Sequence, residues 1–165
     1  MAFDKRWVKT PEGSYRFVHN ETTLAEILPL KNKNDFNVHI GNDRFKINAS
    51  GALGQKLEIH SAEGHTVLKI EPEKWYSNVF LVHYHNHVYR LMIRNNPLCE
   101  FVIRSGQEEL LAYGLDIGKT TNQVVIRITE SETRQPILFH LALWYLFEPV
   151  ARENSADTFW WIYGL

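Results

Sequence analysis

Three histidines are spaced two residues apart, as His83, His85 and His87, and they form the best candidate for a metal site in this 165-residue sequence. Residues two apart on a continuous β-strand lie on the same face, so the three imidazoles would point in one direction. Imidazole nitrogen is a good ligand for zinc. A metal-binding protein, or a metal-dependent enzyme centred on these histidines, is therefore one interpretation.

The residues around the histidines favour a different interpretation. Residues 79–84 and 88–93 are both rich in apolar, strand-forming residues and flank the histidines symmetrically. This arrangement is typical of a β-hairpin whose two-residue turn is His85-Asn86 or Asn86-His87, with asparagine in the positive-φ conformation. A turn would separate the three side chains. We therefore expect the hairpin, treat the metal site as the alternative, and expect no cofactor.

Four basic residues, Arg90, Arg94, Arg104 and Lys69, lie on neighbouring predicted strands and form a second candidate site. Strand alternation places Arg90 and Arg94 on the same face. Guanidinium and ammonium groups bind phosphate, so this face could receive a lipid headgroup. The alternative is a solvated outer face on which these cations pair with carboxylates of adjacent strands. The carboxylates in range are Glu58, Glu71 and Glu100.

Aromatic residues dominate the last seven positions, 159–165. Large apolar side chains should not be left in water, and rings with polar tips suit both protein contacts and membrane interfaces. The tail could pack against its own domain, join a second copy or another protein, or dock on a membrane. The candidate interface residues are Phe159, Trp160, Trp161 and Tyr163.

The composition describes a folded domain and indicates no enzyme class. Aromatic residues make up 13% and charged residues 22%, which excludes a disordered chain, and the net charge of −1 gives no general attraction to nucleic acid. The single cysteine, Cys99, cannot form an internal disulfide, and residues 1–6 lack the apolar stretch of a secretory signal, so we expect a cytoplasmic protein. The sequence lacks a glycine-rich phosphate loop, a nucleophile elbow and a His-Glu-x-x-His motif.

Short segments of alternating polar and apolar residues run through most of the chain. Residues 44–48, 56–60 and 66–70 alternate clearly, with glycine-containing turns between them. Turn residues recur about every 8 to 12 positions, which is typical of an all-β sandwich or barrel. The sequence contains no interdomain linker, so residues 1–165 are predicted to form a single domain.

Residues 137–147 differ from the rest of the chain because they are apolar on every face. A helix without a polar stripe must be enclosed, and about 20 apolar residues are needed to span a membrane, so enclosure by protein is expected. We predict a helix over residues 136–148, capped by Ser131 or Thr133 and ended by Pro149. His140 should be neutral and hydrogen-bonded inside it.

These two patterns together predict a mainly β fold: a closed antiparallel β-barrel of about 10–12 strands with a buried hydrophobic C-terminal α-helix. Closing the barrel removes exposed strand edges, and a barrel of this size has an interior that must be filled. A helix that is apolar all round would fill it.

The order of elements resembles the tubby C-terminal-like superfamily, which includes the tubby proteins, the phospholipid scramblases and the LURP-one-related proteins of plants. The matching parts are residues 45–51, the hairpin 57–70 and the apolar helix 137–147. The resemblance implies a closed barrel threaded by a hydrophobic helix, and a non-enzymatic module that binds a lipid, a membrane surface or a protein. Tubby proteins look like phosphoinositide binders with clustered basic residues, and no basic cluster of this chain aligns with theirs.

We therefore predict a cytoplasmic, non-enzymatic binding or scaffold module. Its ligand would be a lipid or phosphoinositide headgroup or a protein partner, and self-association through the aromatic tail is the simplest form of the latter.

Overall fold

The computed structural model describes residues 5–29, 35–51, 56–116, 126–131 and 133–154. Twelve antiparallel strands follow one another in a single sheet in chain order. They are β1 (Lys5–Lys9), β2 (Tyr15–His19), β3 (Thr22–Pro29), β4 (Asp35–Ile40), β5 (Asp43–Ser50), β6 (Lys56–Ser61), β7 (Thr66–Pro72), β8 (Val79–Tyr84), β9 (His87–Ile93), β10 (Phe101–Ser105), β11 (Glu108–Leu115) and β12 (Ile126–Glu130). The sheet curls into a nearly closed barrel, which confirms the predicted fold class.

The two ends of the barrel differ in the length of their connections. Because each strand runs antiparallel to the next, successive connections alternate between the ends. Those after β2, β4, β6, β8 and β10 are at most four residues long, whereas those after the odd-numbered strands are at least five. We call these the short-turn end and the loop end. Long connections tolerate more varied sequence and often carry binding residues.

The barrel interior is lined by the apolar side chains that alternate with polar ones along the strands. Central inward-facing side chains on successive strands are fully buried, among them Ile27, Val38, Ile47, Ile59, Leu68, Val82, Leu91 and Ile103. Each Å² of apolar surface removed from water stabilises the fold by about 25 cal/mol. Where buried and less buried residues alternate regularly, as in β6 and β7, the alternation keeps the strand in register, since a slip of one residue would turn its apolar set outward.

The helix α1 (Ile137–Glu153) fills this interior. It enters from the short-turn end, after β12, and its rings meet aromatic side chains on opposite walls of the barrel. Trp144 lies 5.3 Å from Trp7, Phe139 lies 5.1 Å from Tyr89, and Phe147 lies 5.3 Å from Phe101, measured between ring centroids. The prediction of a buried helix is confirmed. No helix in the described ranges has the length and apolar character needed to cross a bilayer.

The ends of α1 differ from the predicted ones. Pro136 occupies the N-cap and no side chain caps the helix, so neither Ser131 nor Thr133 plays that role. The helix also continues through Pro149, which is exposed, to Glu153. A proline removes only one backbone donor, and packing outweighs that loss here because Glu148 and Ala151 remain buried on either side of it.

A seam separates the first and last strands of the sheet. The strand order ends at β1 on one side and β12 on the other, and among the residues that the structure describes no ladder joins the two. Side chains bridge them instead: the ammonium group of Lys5 on β1 is paired with the carboxylate of Glu130 on β12.

Candidate functional site

The connection between β7 and β8 at the loop end carries two large side chains in water. The exposed fraction is 86% for Trp75 and 68% for Tyr76. Their ring centroids are 5.3 Å apart with the planes at 86°, an edge-to-face pair, and the Lys74 ammonium lies 5.9 Å from the Tyr76 ring centre. We call residues 74–77 the aromatic turn.

Backbone hydrogen bonds fix the aromatic turn. The Ser77 amide donates to the carbonyl of Lys74 at 3.0 Å, which closes a four-residue turn with the two aromatic residues at its centre. The Ser77 hydroxyl accepts from the amide of Val79 at 3.0 Å. Asn78 then ties the segment to β9, because its carbonyl accepts from the Ile93 amide and its side chain donates to the Ile93 carbonyl. The two rings are therefore presented on a rigid support.

Ion pairs surround the base of the turn. Arg90 on β9 donates to Glu73 at 2.8 Å, and Lys69 on β7 donates to Glu71 at 2.8 Å. His83 lies 3.1 Å from the other oxygen of Glu71. The hydrogen bond from Lys69 lowers the pKa of Glu71 and raises the pKa of Lys69 itself. These carboxylates offset the positive charge of this face.

The remaining two predicted phosphate-binding residues also have partners. Arg94 contacts the carboxylates of Glu100, at 3.3 Å, and of Glu109. Arg104 donates to the Gln107 carbonyl at 2.9 Å. All four predicted cations thus lie on the outer face of the sheet. An anion binding there would compete with the carboxylates that pair with Lys69, Arg90 and Arg94 and with the backbone carbonyl that accepts from Arg104.

The histidine segment forms the predicted hairpin. Tyr84 pairs with His87, so His85 and Asn86 make the two-residue turn. The positive φ, 52°, belongs to His85 and not to Asn86 as expected. Strand alternation sends His83 to the outer face and His87 to the opposite one. Within the ranges the structure describes, no cluster of three potential metal ligands occurs.

Two open hollows lie on the outer wall. One, of about 430 Å³, is lined by Thr66, Lys69, His83 and His85, and the other, of about 540 Å³, includes Arg44, Lys46 and His60. Several of their charged groups are paired within the wall: Lys46 lies 3.8 Å from Asp35, and His60 lies 3.4 Å from Glu58. The ionisable residues that line both hollows are basic, and the carboxylates that pair with some of them lie outside the lining.

A hydrogen-bonded chain of polar groups lies inside the barrel. The Trp7 indole donates to the Tyr113 hydroxyl at 2.8 Å, that hydroxyl lies 3.0 Å from Nδ1 of His140, and Nε2 of His140 lies 3.2 Å from Glu130. Lys5 completes the chain through its pair with Glu130. His140 is therefore hydrogen-bonded to a buried side chain, that of Tyr113, as predicted, and also to the part-buried Glu130.

Burial and hydrogen bonding together determine the protonation of this chain. Burial raises the pKa of Tyr113 well above its usual value and lowers the pKa of His140, so both are neutral at pH 7. Burial also raises the pKa of Glu130, but hydrogen bonds from His140, Lys5 and the Gln135 amide outweigh it and bring the pKa to about 2. The chain contains one neutral imidazole and one part-buried ion pair.

Sequence reasoning did not identify the aromatic turn as a site. The available signal was a pair of bulky aromatic residues, Trp75 and Tyr76, inside a polar connection that follows Pro72. The predicted interface in the tail, residues 159–163, lies outside the described residues.

Comparison with known proteins adds no relative. No protein-family model, curated protein or solved structure matches this chain.

Proposed function

We propose that this protein is a non-enzymatic binding module that docks on a lipid bilayer through the aromatic turn. The observation that carries the proposal is the exposure of Trp75 and Tyr76 on a hydrogen-bonded turn. Tryptophan and tyrosine partition to the level of lipid headgroups because each combines an apolar ring with a polar tip. The long stem of Lys74 can lie beside the rings while its ammonium reaches a phosphate.

The rigidity of the turn supports a docking role. Ordering a flexible loop on binding costs free energy, and a turn that is already closed by its own hydrogen bonds avoids most of that cost. The exposed pair is small compared with a stable protein interface, which buries about 800 Å² on each partner. Insertion of a few side chains into a headgroup layer requires much less area.

The predicted cations provide a second contact in the proposal. Arg90 is close to the turn, its side chain is 64% exposed, and its guanidinium is held by Glu73. A lipid phosphate could share this guanidinium, which has several donors. The proposal thus retains the lipid headgroup as ligand and adds an apolar anchor beside it.

Occupation of the barrel interior supports binding over catalysis. The helix α1 fills the space in which a barrel would otherwise hold a substrate, and its central residues Leu141, Ala142 and Leu143 are fully buried. Ligand contacts are therefore proposed on the outside of the barrel.

Vesicle flotation tests the proposal. The full chain is mixed with vesicles of phosphatidylcholine alone and with added phosphatidylserine, and the bound fraction is compared with that of a Trp75→Ala, Tyr76→Ala double variant. Burying less ring surface should reduce the partition coefficient on the order of tenfold. Val88→Ala is the matched control, since Val88 is also apolar and 58% exposed but lies on the other end of its hairpin, at the short-turn end.

The outcomes separate the possible partners. Tenfold weaker binding of the double variant with unchanged binding of Val88→Ala supports the proposal. Failure of the parent chain to bind either vesicle, or equal binding by all three proteins, overturns it and favours a protein as the partner of the turn.

A further inference from the structure

The buried polar chain connects four elements at one place, the short-turn end of the seam. Lys5 belongs to β1, Tyr113 to β11, Glu130 to β12 and His140 to α1. Backbone ladders join only some of these elements. Among the described residues β11 pairs with β12, whereas β1 pairs with β2. In the part of the chain that the structure describes, the hydrogen-bonded side chains from Lys5 to Trp7 therefore form a polar link between β1 and β12.

The direction of each hydrogen bond follows from the donors available. The Trp7 indole can only donate, so the Tyr113 oxygen accepts from it and the single phenol hydrogen is left for Nδ1 of His140. His140 must then carry its proton on Nε2, from which it donates to Glu130. Glu130 accepts from Lys5 with its other oxygen. Each hydrogen bond from Trp7 to Glu130 therefore has only one possible direction.

An added proton disrupts this order at either of two positions. A second proton on His140 would occupy Nδ1, where the Tyr113 hydrogen already points. A proton on Glu130 would remove the negative charge that faces Lys5, whose side chain is only 9% exposed. An ammonium group in that setting needs either its partner or water.

We infer that the seam between β1 and β12 is an acid-released closure, held shut by the chain from Lys5 to Tyr113 and freed when His140 and Glu130 take up protons. Opening would move Lys5 and Glu130 into water while the eleven ladders between successive strands stay intact. The inference does not depend on the proposed membrane docking.

The charged and titratable groups around the chain determine the direction of the effect. His140 faces Glu130, Lys5, Tyr113 and Arg134, and burial keeps the pKa of its imidazole below the usual value. The pKa of Glu130 is about 2 in the closed state, although burial alone would raise it. In an open seam the pKa values of His140 and Glu130 would return toward their ordinary values of 6.5 and 4.5. The open form therefore binds protons more readily, and acid favours it.

Distance measurement across the seam tests the inference. In a Cys99→Ser background, spin labels are attached at Arg6→Cys on β1 and Thr129→Cys on β12, two exposed positions beside the chain. A control pair, Ser50→Cys and Lys56→Cys, joins positions that face each other in the β5–β6 ladder. Inter-label distances are recorded by electron paramagnetic resonance from pH 7.5 to pH 4.

We expect one short distance across the seam at pH 7.5 and a growing population of longer distances as the pH falls, with the control pair unchanged. An unchanged seam distance over this range overturns the inference. Simultaneous lengthening of both pairs also overturns it, because acid would then be unfolding the whole barrel.

Two variants identify the proton acceptors. The glutamine side chain in His140→Gln can accept from Tyr113 and donate to Glu130 but does not titrate. The pH at which half of the molecules have an open seam, the opening midpoint, should therefore be at least one pH unit lower in this variant than in the parent chain. Glu130→Gln lacks the charge that holds Lys5, and its seam should be partly open at pH 7.5. If Glu130→Gln fails to fold, the midpoint of His140→Gln decides, and a midpoint equal to that of the parent chain rejects the inference.

Discussion

Tyr113 and His140 are joined by a hydrogen bond of 3.0 Å between the phenol oxygen and Nδ1, and both side chains are buried, at 0% and 1% exposure. This bond determines which imidazole nitrogen carries the proton, and it connects the wall of the barrel to the helix inside it. A polar pair at the centre of an apolar core is stable only because each of its atoms has a partner.

Tyr113→Phe should therefore destabilise the protein by about 2 kcal/mol, since it leaves the Trp7 indole and the His140 nitrogen without a partner inside the barrel. The free energy of unfolding, measured by urea denaturation, checks this. Tyr76→Phe removes an exposed hydroxyl and should change the stability by less than about 0.5 kcal/mol. Equal effects of the two substitutions would contradict the importance of the buried bond.

The stability of the protein should fall as the pH is lowered from 7. Glu130 has a folded pKa of about 2, below its usual 4.5, so its contribution is complete above pH 4.5 and is lost as the pH falls toward 2. The pKa of His140 is also lowered, so its unfolded form gains a proton first below about pH 6.5, which again favours unfolding in acid.

The Glu130 part of this dependence amounts to at most about 3 kcal/mol, and Glu130→Gln should remove it. Urea titrations at pH 7, 4.5 and 3 measure the slope. Glu58→Gln on the outer wall is the control and should keep the slope of the parent chain. A parent chain as stable at pH 3 as at pH 7 would rule out this linkage.

Leu141→Asp should prevent folding. The side chain at position 141 is fully buried in the middle of α1, and an unpaired carboxylate there would cost free energy comparable to the whole stability of a domain, roughly 5–15 kcal/mol. Circular dichroism and near-ultraviolet spectra report the loss of structure. Glu153→Ala, at the exposed last residue of the helix, should fold normally, and a folded Leu141→Asp protein would argue against a helix enclosed by the barrel.

Arg90→Gln should weaken binding to vesicles that contain phosphatidylserine by a smaller factor than loss of the aromatic pair does. One basic residue near an anionic surface contributes about 1 kcal/mol, which corresponds to about a fivefold change in binding, and the salt dependence should decrease with it. Flotation at low and high salt measures both. Arg16→Gln is the control, because Arg16 is also a surface residue paired with a carboxylate, Glu26, but lies on β2. Equal losses for the two variants would exclude a specific role for Arg90.

Truncation after Asp157 tests the predicted interface of the aromatic tail. If Trp160 and its neighbours join two copies, the full chain should be a dimer and the truncated chain a monomer in size-exclusion chromatography with light scattering. A monomer in both cases, with unchanged thermal stability, would exclude both self-association and packing of the tail on the barrel.

The pattern of the sequence was sufficient to predict the architecture because local and global signals agree. Alternating segments such as β6 and β7 place Leu57, Ile59, Leu68 and Ile70 inside, and the same four side chains are buried. The apolar helix was predictable for the same reason, since its composition excludes an exposed position. The end of the helix was not, because the effect of Pro149 is local while the packing of Ala151 is a tertiary contact.

The candidate site was less predictable for a physical reason. An ion pair such as that of Arg90 with Glu73 depends on which residues of neighbouring strands face outward side by side and on the rotamers of their long side chains. The spacing of residues in the sequence specifies neither. The exposure of Trp75 depends on the conformation of a turn that the alternating pattern of the sequence does not specify. The chain from Tyr113 to Glu130 links positions on three elements, so only the register of the strands reveals it.

The helix that forms the centre of the barrel is the last of the described elements along the chain. Protein synthesis therefore releases all twelve strands from the ribosome before the segment around which they close. Until residues 137–153 emerge, the inward faces of the strands have no core to cover, and exposed strands of this kind are prone to aggregate. Completion of the fold must therefore wait until residues 137–153 have left the ribosome.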